Sequence, residues 1–290
     1  MISHFLTFDV EHWYEGYRYR YGGGWEKFPA RDHDTVERLL SLLEERGIKA
    51  TFFVTGAFVE SFPLVTRKIA DTGHELASHS YSHTVVHRFP DIQRFREDLH
   101  RSVCLIEDVS GKKVLGFRAP KWSIPQEPES FYESLLAEQL IYDSSLFPGL
   151  KESGVPDFPF VRELISGRKI WEIPATTLDV ASLRIPAAGG LWLRLFPKFV
   201  TKQAFRQGES RGVPRMVYLH PYDLDPECPR IFSSMTLGAI PFMFARYYGL
   251  ARTEKILREL FMTFRFSSIQ EWLSAERATQ FSATTSSPSA

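Results

Sequence analysis

Two acids stand two residues apart in "TFDVEHW" (residues 7–13), inside a stretch otherwise patterned as an apolar strand. Strand side chains alternate with period two, so Asp9 and Glu11 share one face and Val10 takes the other. Carboxylates held that close repel, and burying both costs several kcal/mol unless something positive sits with them. A solvated strand end would carry them without penalty. A cation beside them would give them a chemical role.

Histidines are placed to complete such a role. Five of the nine lie between His74 and His100, and "HSYSH" spaces His79 and His83 four apart, directly after "HELAS". On a helical turn residues i and i+4 share a face, so both imidazoles would reach one ion. The plain alternative is a helix start with two solvated histidines. His74 and His87 read as structural or surface groups. Two histidines and one carboxylate form a ligand set for a hydrolytic metal and leave positions for water and substrate; the second carboxylate is then free to act as a base. Arg118, in "GFRAP", is a cation able to hold such a carboxylate ionised. His220, in "VYLHPYD", ends a late apolar strand before a proline, where a histidine can protonate a leaving amine or simply be a satisfied structural group.

These residues converge only if the elements carrying them do. "HFLTFDV" reads as a strand and "YEGYRYRYGGGWEKFPARD" as a loop, because Gly22, Gly23 and Gly24 together suit no helix or strand interior. Leu39, Leu40, Leu42 and Leu43 give a helical stripe stopped by Gly47, and "IKATFFV" is a buried strand. The pattern then repeats: helix "LVTRKIADTG", strand "HELAS", a long helix from Ile92 to about Val109, strand "VLGFRA", helix "PESFYESLLAEQL" and strand "IYDSSLF". Such alternation predicts βαβ units and a parallel sheet, open or closed into a barrel. Sites in those folds gather at the C-terminal ends of the strands, where all the residues singled out lie. From about 150 to 215 the alternation loosens around a strand at "KIWEIP"; strand "RMVYLHP" and helix "ARTEKILRELFM" follow.

Composition narrows the classes further. The 290 residues hold 35 basic and 35 acidic groups, so no global field favours nucleic acid. Two cysteines outside any CxxC pair exclude a disulfide framework and a cysteine zinc site. The first residues lack a basic and apolar leader pattern, which predicts a cytoplasmic protein. The apolar, aromatic stretch "TLGAIPFMFARYYGL" suits barrel cover, or peripheral contact with lipid or another subunit.

In order, "TFDVE", "ATFFVTG", "GHELASHSYSH", "GFRAP", "YDSSLFP" and "LHP" resemble the polysaccharide deacetylase family, the NodB-homology group of carbohydrate esterases. The likeness runs from about residue 3 to 222, and the remainder resembles the C-terminal extension of bacterial exopolysaccharide-locus members. The resemblance implies an α/β fold, a distorted (β/α)7 barrel. It implies one domain over 1–273, with 222–273 as an extension packed on the barrel and 274–290 as a disordered tail.

It also implies roles. Asp9 matches the catalytic base, and His79 and His83 match the metal histidines. Many members carry adjacent "DD"; Val10 here cannot ligate, which leaves Glu11 as third ligand, with exchanged roles for Asp9 and Glu11 as the rival. Arg118 matches the arginine that orients the base, the Lys121 backbone N–H an oxyanion donor, and His220 the general acid. Pro120, Trp122 and the "AAGGLW" loop are expected along a sugar groove, and Val217 at the position facing the acetyl methyl. For the partner of His220, Glu172 and Asp179 are the candidates. The implied cofactor is a divalent metal, Zn²⁺ first, with Co²⁺ or Fe²⁺ equally accommodated. The implied reaction removes N-acetyl groups from amino sugars of a bacterial polysaccharide or its precursor; peripheral association with a membrane polysaccharide-assembly complex, through the apolar stretch, is compatible with it. A deformylase, a cyclic imide hydrolase, or an inactive sugar-binding module on the same fold are the alternatives.

Overall fold

The computed structural model describes residues 2–21, 23–125, 128–149, 155–231 and 240–276. The chain opens with β1 (Ser3–Val10), a short helix α1 (Glu15–Tyr21) and α2 (Asp32–Glu44). Next come β2 (Thr51–Val54), α3 (Gly56–Ser61), α4 (Pro63–Asp71) and β3 (Glu75–Ser78). The long α5 (Ile92–Ser110) leads to β4 (Gly116–Phe117), α6 (Glu129–Ala137) and β5 (Tyr142–Asp143). Strand β6 (Phe160–Glu163) runs antiparallel to β7 (Lys169–Glu172), and β8 (Thr177–Val180) pairs with β9 (Leu183–Pro186) as a separate hairpin. The last elements are α7 (Gly190–Leu195), α8 (Lys198–Ser210), β10 (Met216–Leu219), α9 (Ile240–Tyr247), α10 (Leu250–Thr263) and β11 (Arg265–Ser267).

Seven strands lie parallel in the order β10-β1-β2-β3-β4-β5-β7, with β6 beyond β7 and β11 beside the start of β1. This is the α/β architecture expected, curled as a distorted barrel that stays open. Among the described residues β10 and β7 do not pair. The segment before α7 covers β10 instead, where Tyr218 N–H donates to the Ala188 carbonyl oxygen at 3.1 Å.

Period-two alternation gives the sheet two cores. Leu6, Phe8, Val10, Phe52, Val54 and Phe117 turn outward to meet Leu39, Leu43, Ile69, Phe95 and Leu99 of the helices. Phe5, Phe53, Ala77, Tyr142 and Met216 turn inward and fill the barrel, with Ile269 and Leu273 packed among them. Each large aliphatic or phenylalanine side chain among these contributes about 1.5–3 kcal/mol on burial, so the two cores fix strand parity and thereby the face on which every polar residue emerges. Gly116 is demanded by the inner core: a Cβ there would lie 1.9 Å from Tyr142 Cζ.

Two expectations about elements need correction. The stretch after β1 contains α1, because Tyr17 is fully buried in an aromatic cluster with Trp13, Phe28 and Phe242; that packing outweighs the weak local signal. The strand expected over "VLGFRA" reduces to Gly116–Phe117, and the loosened region holds α7, α8 and a hairpin. Gly22, residues 236–239 of "TLGAIPFMFARYYGL" and the tail from 277 lie outside the described residues. No helix among the described residues is long and apolar enough to cross a membrane.

Candidate metal centre and active site

The parity of β1 carries Asp9 and Glu11 inward at the C-terminal end of the barrel, at 4 % and 5 % exposure. Their surroundings then diverge. Arg118, the residue following β4 and fully buried, donates from Nη1 to Asp9 Oδ1 at 2.6 Å and to Thr7 Oγ1 at 3.1 Å. The guanidinium is held by the Ser144 carbonyl oxygen and hydroxyl at 3.2 and 3.0 Å, and lies 3.9 Å above the Phe53 ring. Burial alone would raise the Asp9 pKa, but the charges of Arg118, His79 and His220 keep it below the ordinary carboxylate value.

Glu11 meets histidines instead. Its Oε1 accepts from the Tyr222 hydroxyl at 3.0 Å, and Oε2 lies 2.5 Å from His83 Nε2, an ion-pair contact. Burial pushes its pKa up, and His83, His220 and His79 outweigh that, so Glu11 stays ionised well below the usual range. Burial lowers His79 to about 4.

His79 and His83 meet on a loop; the expected helical turn is absent. Ser80 and His83 both take positive φ, 64° and 54°, which folds the five residues back on themselves. Ser80 Oγ accepts from His83 N–H at 3.0 Å, and the Asp98 carboxylate on α5 accepts from the N–H groups of Tyr81 and Ser82 at 2.7 and 3.0 Å. Gly56 lets the loop approach α3: a Cβ there would lie 2.4 Å from Tyr81 Cδ2. Lys121 and Trp122 also have positive φ, so four of the six such non-glycine residues described border this site. Strain of that kind persists only where its surroundings enforce it.

The donor set fits a divalent cation. Glu11, His79 and His83 each present one ligand atom within 4.8 Å of the others, the one such group found among the described residues; Asp9 is outside it. His79 Nδ1 lies 2.7 Å from the Arg118 carbonyl oxygen, an acceptor, so Nδ1 carries the proton and Nε2 keeps its lone pair for a metal. Glu11 Oε2 is buried with His83 Nε2 as its one near neighbour among the ion pairs described. A buried, ionised carboxylate facing two imidazoles is a donor set that a divalent cation would complete.

His220 follows β10 with its ring Nε2 3.8 Å from Glu11 Oε1. Its partner is Asp223, which neither sequence candidate anticipated. Asp223 Oδ2 accepts from His220 N–H at 2.9 Å and lies 3.2 Å from Nδ1, while Arg194 contacts Oδ1 at 3.1 Å. Burial opposes the imidazolium, yet Asp223, Glu11 and Asp9 together raise the His220 pKa. Asp223 is itself depressed to about 2, with Arg194 and His220 outweighing burial. Glu172 is engaged elsewhere, accepting from the Tyr132 hydroxyl at 2.7 Å, and Asp179 pairs with Arg211 at 2.8 Å on the hairpin. The spacing of "HPYD" carried the missed signal: His220 at the N-cap and Asp223 at the third helical position form a capping box, with Pro221 starting the turn between them.

A cavity of about 330 Å³ opens over these groups, lined by Asp9, Glu11, His79, His83, Lys121, Trp122, Trp192 and His220 among others. Lys121 and Trp122 border it, and so do Gly190, Leu191 and Trp192 of the "AAGGLW" loop. Val217 does not: it points outward into the helix-facing core, and parity gives its expected place to Tyr218, which lines the cavity. Pro120 is buried and is absent from the lining.

Residues 5–135 match the profile of the polysaccharide deacetylase family, and residues 144–274 match a domain of unknown function, DUF3473. A peptidoglycan-N-acetylglucosamine deacetylase of Bacillus cereus is 29% identical over 135 residues, 44% of this chain and 45% of that protein. A peptidoglycan deacetylase of Helicobacter pylori is 36% identical over 112 residues, 38% of this chain and 36% of the relative. The chain thus spans less than half the length of these curated relatives. A solved structure from Mycobacterium smegmatis, assigned to the polysaccharide deacetylases, shares the fold with a TM-score of 0.62 at 20% identity, covering 96% of this chain and 91% of that one.

Proposed function

We propose that this chain, which carries a polysaccharide deacetylase domain over residues 5–135, is a metal-dependent hydrolase that removes N-acetyl groups from amino sugars of a bacterial polysaccharide or its precursor. One observation carries the reading: Glu11, His79 and His83 converge on a point beside a cavity, with Asp9 held apart from them by Arg118. Glu11, His79 and His83 would hold the cation. When bound, a divalent ion there polarises an acyl carbonyl and acidifies water.

The side chains supply the rest. Asp9, kept ionised by Arg118, accepts the proton of the attacking water. The Lys121 backbone N–H, at a strained turn on the cavity wall, is the oxyanion donor; such a donor is worth about 2.7–4 kcal/mol in the transition state. His220, protonated and oriented by Asp223, gives its proton to the departing amine. Opposite protonation states for the two groups are what an acid–base pair needs, and their environments push them that way. Acetate and a free amino sugar result.

Acetate release from N-acetylglucosamine oligomers, measured beside formate release from formamides and ring opening of cyclic imides, tests the reading. Acetate from the sugars supports it. Turnover of formamides or imides alone, or of nothing, refutes it.

A further inference from the structure

Arg246, on α9, lines the cavity yet is only 7 % exposed. Its guanidinium lies over the Tyr222 ring, 3.5 Å from the centroid, donates to the Trp13 carbonyl oxygen, and reaches Cys228 Sγ at 3.7 Å. Nε has no acceptor, and among the described residues no carboxylate forms an ion pair with Arg246. The neighbouring Arg194 is in the opposite state. It pairs with Asp223 at 3.1 Å and donates to the carbonyl oxygens of Gly190, Ala245 and Arg246. The charge of Asp223 acts on Arg246 only from beyond contact range, and a buried cation without a contacting anion carries a desolvation cost that a ligand can offset by bringing the counter-charge.

The cavity as a whole leans the same way. Its lining acids are Asp9, Glu11 and Asp223; against them stand Lys121, Arg194 and Arg246 on the wall and Arg118 behind Asp9. Any divalent ion at Glu11 adds to the surplus. A neutral amino sugar would leave Arg246 as it is, whereas an acidic one would give the guanidinium a charge-assisted hydrogen bond.

We infer that the substrate carries an anionic group, a carboxylate or a phosphate, close to its acylated amine, and that Arg246 receives it. This rests on the deacetylase reading and names the substrate class of that site.

Calorimetric titration of metal-free protein with N-acetylmuramic acid, N-acetylglucosamine 1-phosphate and N-acetylglucosamine tests it without any metal–phosphate contact; in both acidic sugars the anion is carried on a carbon next to the one bearing the acylated amine. One acidic sugar is expected to bind about tenfold more tightly than the neutral one, the size of one charge-assisted hydrogen bond. Which one binds separates carboxylate from phosphate. Arg246→Gln should remove that preference and Arg246→Lys should keep part of it, each judged as an affinity ratio within one folded variant. Equal affinity of wild-type protein for all three sugars, or an unchanged ratio in Arg246→Gln, overturns the inference. Acidic sugars bound but never deacetylated by metal-loaded protein would retain the anion site and remove the deacetylase reading. Deacetylation with no preference for acidic sugars would do the reverse.

Discussion

Arg118 Nη1 donates to Asp9 Oδ1 at 2.6 Å where neither group meets more than a trace of solvent. That bond separates two acids that parity placed on one face. Asp9 is committed to a guanidinium, and Glu11 is left to the imidazoles of His79 and His83.

Asp9→Asn is therefore expected to bind metal as wild type does while kcat falls by roughly 10²–10⁴, the usual contribution of a general base. Metal content by mass spectrometry and turnover on acetylated oligosaccharide check both halves. Loss of metal in Asp9→Asn would exchange the roles of the two acids. Arg118→Met leaves a buried carboxylate without its partner and should cost about 3–5 kcal/mol in denaturant unfolding.

The Asp98 carboxylate holds the histidine loop through two backbone N–H groups without touching a ligand atom. Outer partners of this kind typically cost 10–100-fold in metal affinity when removed. Asp98→Ala is expected to weaken zinc affinity by about that factor, read by competition with a chromogenic chelator. Wild-type affinity would mean that the loop keeps its shape unaided.

Asp223 raises the His220 pKa, so its charge sets where the acid loses its proton. In Asp223→Asn that support is gone and His220 deprotonates at lower pH. The alkaline limb of kcat/KM should shift to lower pH, with the acidic limb unmoved. A uniform drop in rate at unchanged pH profile would reduce Asp223 to a structural cap.

Asp143 and Glu172 face each other across β5 and β7, both fully buried. Burial first, then the charge of Asp143, lifts Glu172 well above its ordinary 4.5, and burial lifts Asp143 to about 6 against hydrogen bonds from Ser145. A folded pKa above the unfolded one means the native state holds protons that the unfolded chain has released. Stability is fully present below the unfolded values near 4 and falls as pH rises through the folded ones. The melting temperature should decline as pH rises above about 4 and through about 6, where Asp143 titrates, and Glu172→Gln should flatten that decline by a few degrees. An equal slope in the variant contradicts the raised pKa of Glu172.

Much of this was legible in the residues because two simple periods carried it. The Leu39–Leu43 stripe and the "TFDVE" alternation gave helix and strand, and parity alone put Asp9 and Glu11 together. Parity also argued against Val217, since a strand that turns His220 inward must turn Tyr218 the same way. The "HSYSH" turn misled because i, i+4 spacing suggests a helix, whereas Ser80 and His83 adopt left-handed backbone stabilised by the distant Asp98. α1 was hidden for a related reason: its anchor, Tyr17, is buried against residues more than 200 positions away. Arg194 and Arg246 had no local pattern at all. Only the folded chain brings α7 and α9 over the same cavity.

The central claim, amide hydrolysis that depends on a cation at Glu11, His79 and His83, is met most directly by one assay. Free amine release from N-acetylated oligosaccharide is followed on protein stripped by chelator and dialysed, before and after Zn²⁺ is added back, with His79→Ala beside it. The account predicts no release from stripped protein, recovery on adding Zn²⁺, and no recovery in His79→Ala. Full activity in the stripped protein, or Zn²⁺ rescue of His79→Ala to the wild-type rate, would contradict it.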